Sequence, residues 1–306
     1  MSIVKAIALP QELTYVGVFL TLRCSFCCSY CINRFDGVKP REELTGDQWI
    51  AGLNRLAFSR EKMVPITLQG GEPSSHKDFV NIIGGIDPDI YVDILTNLDF
   101  DVDEFMREIP PERLQRDVPY ASIRVSYHPE FSDLDELLER IAHMQNKGYS
   151  IGLFAVEHPE IDIDQIRSRA EAVKIDFRTK EFLGEYDGRL YGRYKYAEAC
   201  DGEHRERVQC RTTELIIAPD GFIHKCHRDL YHGEHPVGHI LDKDVRVEFP
   251  FRECHAYGQC NPCDIKLKTN RFQQFGYCAV TIREDRRAKR VRAAQPLDQR
   301  SAASGG

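Results

Sequence analysis

The stretch YVGVFLTLRCSFCCSYC, residues 15–31, carries the decisive reading of this chain. Its first seven residues are aromatic, β-branched and aliphatic, the composition of a buried strand. They run straight into a loop with four cysteines in eight residues, Cys24, Cys27, Cys28 and Cys31. Three thiolates on one short loop can hold three corners of a cubane iron–sulfur cluster, whose complete protein ligand set is four cysteines. A missing fourth ligand leaves one iron open to a small molecule. Zinc asks instead for paired Cys-x-x-Cys units around one tetrahedral ion, and four cysteines crowded into eight residues suit that poorly.

Outward from this stretch the pattern repeats. Residues 15–21, 64–69, 90–96, 121–127, 150–157 and 173–179 read as strands, and helix-period segments lie between them. Thr45-Gly46-Asp47-Gln48 is a capping box opening a helix that carries Trp49, Ile50, Leu53 and Leu56. A second helix begins at Ser132, lines up Leu134, Leu137, Leu138, Ile141 and Met144, and stops at Gly148. Six strands alternating with helices predict an α/β fold with a parallel sheet, wound as a partial barrel or an open sheet. Active sites of such sheets lie beyond the carboxyl ends of the strands.

The 306 residues are 42% hydrophobic and 29% charged, which excludes disorder, collagen and coiled coil. No apolar run approaches the roughly 20 residues of a membrane helix, and no basic-then-apolar N-terminal signal is present. The expectation is a cytoplasmic protein without membrane contact. The net charge of −7 argues against a general nucleic-acid binder. In residues 281–292 six basic residues face two acidic ones, the mark of a basic segment and tail. Eleven cysteines without an export signal read as metal ligands or catalytic thiols rather than disulfides. Three units follow: a core over 1–180, a cysteine-rich region over 181–280 holding seven of the cysteines, and a basic, disordered tail over 281–306. One hairpin stands out in the second unit, turning at Pro219-Asp220-Gly221.

Read as Cys24-x3-Cys28-x2-Cys31 with Tyr30 before the last cysteine, the loop resembles the signature of the radical S-adenosylmethionine (radical SAM) superfamily. By thiol chemistry alone Cys24, Cys27 and Cys31 would serve in reversed spacing, so the choice of Cys28 rests on the family pattern. Gly70-Gly71-Glu72-Pro73 after the second strand is similar to the family's Gly-Gly-Glu motif, whose backbone receives the methionyl ammonium. A Cβ at Gly71 is expected to occupy space the ligand needs. Asn97 and Ser126, at the ends of the third and fourth strands, match positions that touch the ribose or carboxylate, and Tyr30 would lie against the adenine. The resemblance, which covers about residues 15–180, implies a partial (β/α)6 TIM-like barrel. It also implies a SAM-binding [4Fe-4S] cluster on Cys24, Cys28 and Cys31, and an electron donor such as flavodoxin or ferredoxin.

The C-terminal cysteines resemble the auxiliary-cluster region called SPASM or, when shortened, twitch. Cys210, Gly221 and Cys226 fit its opening, and Cys254-x5-Cys260-x2-Cys263 its second half. The chain departs from the full pattern at Phe251, where a cysteine would stand, and in a final spacing one residue short. One auxiliary [4Fe-4S] cluster is therefore expected on Cys210, Cys226, Cys260 and Cys263, with Cys254 as the main substitute. A zinc knuckle is the competing reading.

Cys278 and Cys200 are candidate hydrogen-atom donors, which an epimerase needs. Tyr127, His128, Glu157 and His158 lie at strand ends on the active-site rim. The histidines at 224, 227, 232, 235 and 239 read as a polar loop, with metal or anion binding the lesser alternative. Only about fourteen residues precede the first strand, too few for a peptide-leader module. The expected function is a radical SAM enzyme that oxidises or epimerises a small polar metabolite derived from a sugar or nucleotide. The alternatives are a peptide- or RNA-modifying radical SAM enzyme and a non-catalytic zinc-stabilised binding protein.

Overall fold

A computed structural model describes residues 5–33, 42–59, 64–203, 207–268 and 276–284; the expected basic tail lies largely outside them. The N-terminal half contributes β1 (Ile7–Ala8), β2 (Tyr15–Thr21), α1 (Gly46–Leu53), β3 (Leu56–Ala57), β4 (Ile66–Gly70), α2 (Phe79–Gly85), β5 (Val92–Thr96) and α3 (Val102–Glu108). There follow β6 (Ile123–Tyr127), α4 (Leu134–Asn146), β7 (Ile151–Glu157), α5 (Ile163–Ala172), β8 (Phe177–Glu181), β9 (Gly184–Tyr186) and β10 (Arg189–Tyr191). The cysteine-rich half adds β11 (Val208–Thr212), β12 (Glu214–Ile217), β13 (Phe222–His224), α6 (His227–His232), β14 (Gly238–His239), β15 (Arg252–Cys254), α7 (Pro262–Ile265) and β16 (Val280–Glu284).

Strands β2, β4, β5, β6, β7 and β8 pair in that order, all parallel, with helices packed on the outer face. This is an open, partial (β/α)6 barrel. Strand residues point alternately outward and inward. Val16, Val18 and Leu20 of β2 join the outer core with Trp49, Leu53, Ile82 and Ile83. Phe19 turns inward, to Ile216, Ala218, Leu230 and Tyr231. The inner wall is polar at the base, where buried Asp93 of β5 accepts from Arg116 and, at 3.2 Å, from Arg124.

Two elements shift from their expected places for local reasons. The first helix stops at Leu53, because Asn54 caps it, donates its side-chain amide to Gly85 O and accepts from the Asp87 N–H; Leu56 then starts β3 beside β1. The run expected as a strand from 173 instead ends α5: Val173 N–H closes on Ala170 O and Lys174 adopts a left-handed φ of 58°, so β8 begins only at Phe177.

The hairpin is the larger difference. Its first strand, β12, pairs parallel to β2, Glu214 beside Tyr15, so the barrel sheet continues as β14-β13-β12-β2. A separate sheet, β15-β11-β16, carries Cys210 and Cys254.

Candidate functional site

The cysteine loop leaves β2 at its carboxyl end, where a parallel sheet gathers its binding residues. Thr21 Oγ1 accepts from the Arg23 N–H at 3.0 Å and turns the chain out of the strand. Cys31 N–H closes on Cys28 O at 3.2 Å. The β6–α4 loop holds the turn from one side, since Ser29 gives its N–H (3.2 Å) and its hydroxyl (2.7 Å) to the Glu130 carboxylate. From the other side the Tyr231 hydroxyl bonds Asn33, and Asn261 Nδ2 reaches Ile32 O at 3.5 Å. Tyr30 is buried between His128 (ring centroids 5.9 Å apart) and His158 (5.2 Å), with its hydroxyl 3.1 Å from His128 Nδ1.

Burial pushes the Cys28 thiol up to about 12, and the charges of Cys31, Glu130 and Cys24 add to it. Burial likewise raises Cys24, aided by Glu72 and Cys31. Three thiols gathered on one short loop, Cys24 exposed and Cys28 and Cys31 half-buried, need a positive centre among them to become thiolates together. An iron–sulfur cluster supplies that charge, so the donor set fits it. Cys27, like Cys24, is exposed, whereas its neighbour Cys28 is half-buried.

Beside the loop stands the Gly70-Gly71-Glu72 turn. Glu72 is 2% exposed and accepts from the Thr96 hydroxyl (2.8 Å), the Asn97 N–H (2.7 Å) and the Ser74 hydroxyl (2.8 Å). Burial raises its pKa against the pull of those bonds. The carboxylate thus ties the end of β4 to the end of β5. Asn97 turns its Nδ2 toward Ser25 Oγ, 3.5 Å away, which brings it to the cysteine loop. Ser126 pairs with Phe154 inside the sheet, one residue before the end of β6.

The expectation for Gly71 needs correction in its reason. A Cβ there would meet Arg23 O at 2.2 Å and Leu22 O at 2.7 Å, the chain's own loop rather than ligand space. Glycine is required because Gly71 and Glu72 extend the β2–β4 ladder to Thr21 O and Arg23 O.

In the cysteine-rich region Cys210, Cys226, Cys254 and Cys260 line one cavity with Lys225 and Arg228, whereas Cys263 is not among its lining residues. The neighbouring Cys254 and burial together hold Cys210 as the thiol. Lys225, half-buried, feels the charges of Cys210, Cys226 and Cys254. Cys200 and Cys278 give their thiols to the Ala197 and Asp264 carbonyls at 3.3 and 3.4 Å. Of the five histidines, His224 bonds Glu234 O (3.0 Å), His227 bonds Asp264 (2.6 Å) and His239 bonds Asp220 O (2.8 Å), a pattern of structural tethers.

Sequence reasoning missed Glu130, Asn33, Tyr231 and Asp264. They act across 101, 198 and 37 positions, and only folding brings such partners together. A lone Glu in a loop or Asp in a one-turn helix carries no local signal.

No family model matches the chain. Among curated proteins it is 34% identical over 91 residues to a probable GTP 3',8-cyclase of Methanopyrus kandleri, covering 29% of this chain and 28% of that protein. It is 32% identical over 83 residues to an S-adenosylmethionine-dependent nucleotide dehydratase of Selenomonas ruminantium, covering 27% and 29%. The chain thus spans less than a third of the length of these relatives. In fold it is similar to Streptococcus suis SuiB bound to the precursor peptide SuiA, with a TM-score of 0.52 at 15% identity, over 79% of this chain and 64% of that one. The cysteine loop, the barrel and these likenesses agree: the chain is built on the radical SAM core and is related to radical SAM proteins, whose cofactors are S-adenosylmethionine and a [4Fe-4S] cluster. Among the described residues no helix is long and apolar enough to cross a membrane.

Proposed function

Starting from a radical SAM core with S-adenosylmethionine-dependent relatives, we propose that this chain is an enzyme that cleaves S-adenosylmethionine and oxidises or epimerises a small polar metabolite derived from a sugar or nucleotide. The observation that carries the reading is the loop of three mutually interacting thiols at the carboxyl end of β2, beside the turn anchored by Glu72. When bound, the cluster and S-adenosylmethionine supply reductive cleavage and hydrogen abstraction.

The chain's own residues position and enclose. Cys24, Cys28 and Cys31 hold the cluster. The backbone of Gly70, Gly71 and Glu72 lies where the methionyl group is received, and Asn97 and Ser126 offer polar contacts to the same ligand. Tyr30 packs the loop against His128, whose pKa burial lowers to about 4; the imidazole is neutral at pH 7 and bonds the Tyr30 hydroxyl without a charge. A substrate with polar or anionic groups matches the inner wall, where Lys180 lies 5.6 Å over the Phe154 ring. The relatives act on GTP and on a nucleotide, which supports a nucleotide-derived substrate. The likeness to a peptide-bound enzyme is one of fold alone. A flavodoxin or ferredoxin is the electron donor in this reading.

Anaerobic purification and reconstitution should give brown protein with about eight irons per chain, two cubane clusters. Incubation with S-adenosylmethionine, a reductant and a panel of nucleotides and sugars should release deoxyadenosine, more of it with the true substrate. Colourless protein containing zinc, or no deoxyadenosine under any reductant, would overturn the proposal.

A further inference from the structure

The expected auxiliary ligand set pairs Cys260 with Cys263 and leaves Cys254 spare, but the fold distributes these thiols differently. In the β11–β15 ladder Val208 stands opposite Cys254 and Cys210 opposite Arg252. Residues two apart share a face of a strand, so Cys210 and Cys254 are diagonal neighbours on one face of the sheet. Cys226, at the start of α6, accepts from the Asp229 N–H at 3.5 Å. Cys260 packs with Cys254 in the small apolar cluster of Ala199, Val208, Tyr257 and Ile265. All four sulfur-bearing residues line a single cavity, together with Lys225 and Arg228.

Cys263 does not line that cavity. The three-residue step from Cys260 to Cys263 crosses Asn261, whose side chain caps Cys263 N–H at 2.9 Å and opens α7.

We infer that the auxiliary cluster is held by Cys210, Cys226, Cys254 and Cys260, and that Cys263 remains a free thiol. The inference rests on the radical SAM reading above. Four thiolates close a cubane to further ligands, so this cluster leaves no iron for substrate. The cavity wall also carries Lys225, paired with Asp229 at 3.7 Å, and Arg228, paired with Glu234 at 2.6 Å. An electron relay and a staple for a region with little apolar core are the roles left to it.

Iron content decides the ligand set. In a chain with Cys24, Cys28 and Cys31 all changed to alanine, only the auxiliary cluster is loaded, and reconstitution should give about four irons. Adding Cys263→Ser should keep those irons and leave the low-temperature EPR signal of the reduced protein unchanged. Adding Cys254→Ser should lose most of the iron or shift the signal, because serine is a poor substitute ligand. Far-UV circular dichroism separates a lost ligand from a lost fold; should Cys254→Ser not fold, Cys254→Ala in the otherwise intact chain supplies the same count, a fall from about eight irons to about four. Iron lost with Cys263→Ser, or retained unshifted with either Cys254 change, overturns the assignment while the radical SAM reading stands. A wild-type chain that binds no iron at either site overturns both.

Discussion

Cys27 and Cys28 are neighbours in sequence with different surroundings. Cys28 is half-buried and coupled to Cys24 and Cys31, whereas Cys27 is exposed. Alanine at Cys24, Cys28 or Cys31 should therefore abolish S-adenosylmethionine cleavage, and Cys27→Ala should retain most of it, as read by deoxyadenosine release. The reverse result for Cys27 and Cys28 would show the other spacing to be used. His128 gives a pH prediction. Its folded pKa is depressed to about 4 from an ordinary value of 6.5, so the unfolded chain takes up a proton first as pH falls. The stability contribution is whole above pH 6.5 and is lost toward pH 4, with about 1 kcal/mol gone at pH 5.5. In anaerobic thermal unfolding, His128→Gln should lose less stability between pH 7.5 and 5.5 than the wild type; equal losses would remove His128 from the account.

At the scale of elements, the cysteine loop is a short irregular segment fastened by its neighbours. Its tie to the β6–α4 loop is Glu130, an exposed residue that binds Ser29 twice. An exposed carboxylate contributes little to global stability, but this one restrains the segment that carries three cluster ligands. Glu130→Ala should leave the unfolding midpoint nearly unchanged, within about 0.5 kcal/mol. It should release iron to a chelator several-fold faster. Iron release at the wild-type rate would mean that the Glu130 tether does not control access to the cluster. The Glu72 carboxylate plays a different part, since its bonds join two strand ends inside the sheet, where no water can replace a lost partner.

Across the whole molecule the cysteine-rich half and the barrel share one sheet, and Arg55 joins them further. Only 7% exposed, it donates to Lys5 O (3.0 Å), Ile240 O (2.7 Å) and Asp242 O (2.7 Å), gathering the N-terminal segment, the end of α1 and the segment after β14. Arg55→Met would strand the buried Ile240 carbonyl and remove two part-buried bonds, and should destabilise the holoprotein by about 3 kcal/mol in anaerobic denaturant unfolding; a change below about 1 kcal/mol would show that water reaches Ile240 O. The sequence by itself determined the alternating strands and helices, the capping box at Thr45 and the cysteine loop with its Gly-Gly-Glu companion. Each is written in residues close together in the chain, where periodicity and spacing act directly. Only the tertiary structure decided that β12 continues the barrel beside β2, that Glu130 and Tyr231 clamp the loop, and that Cys254 rather than Cys263 shares a cavity with Cys210. Those pairings join positions tens to hundreds of residues apart, and nothing in a local pattern selects among distant partners. Strand register and burial choose them, because each buried thiol and backbone group must find its partner within the folded chain.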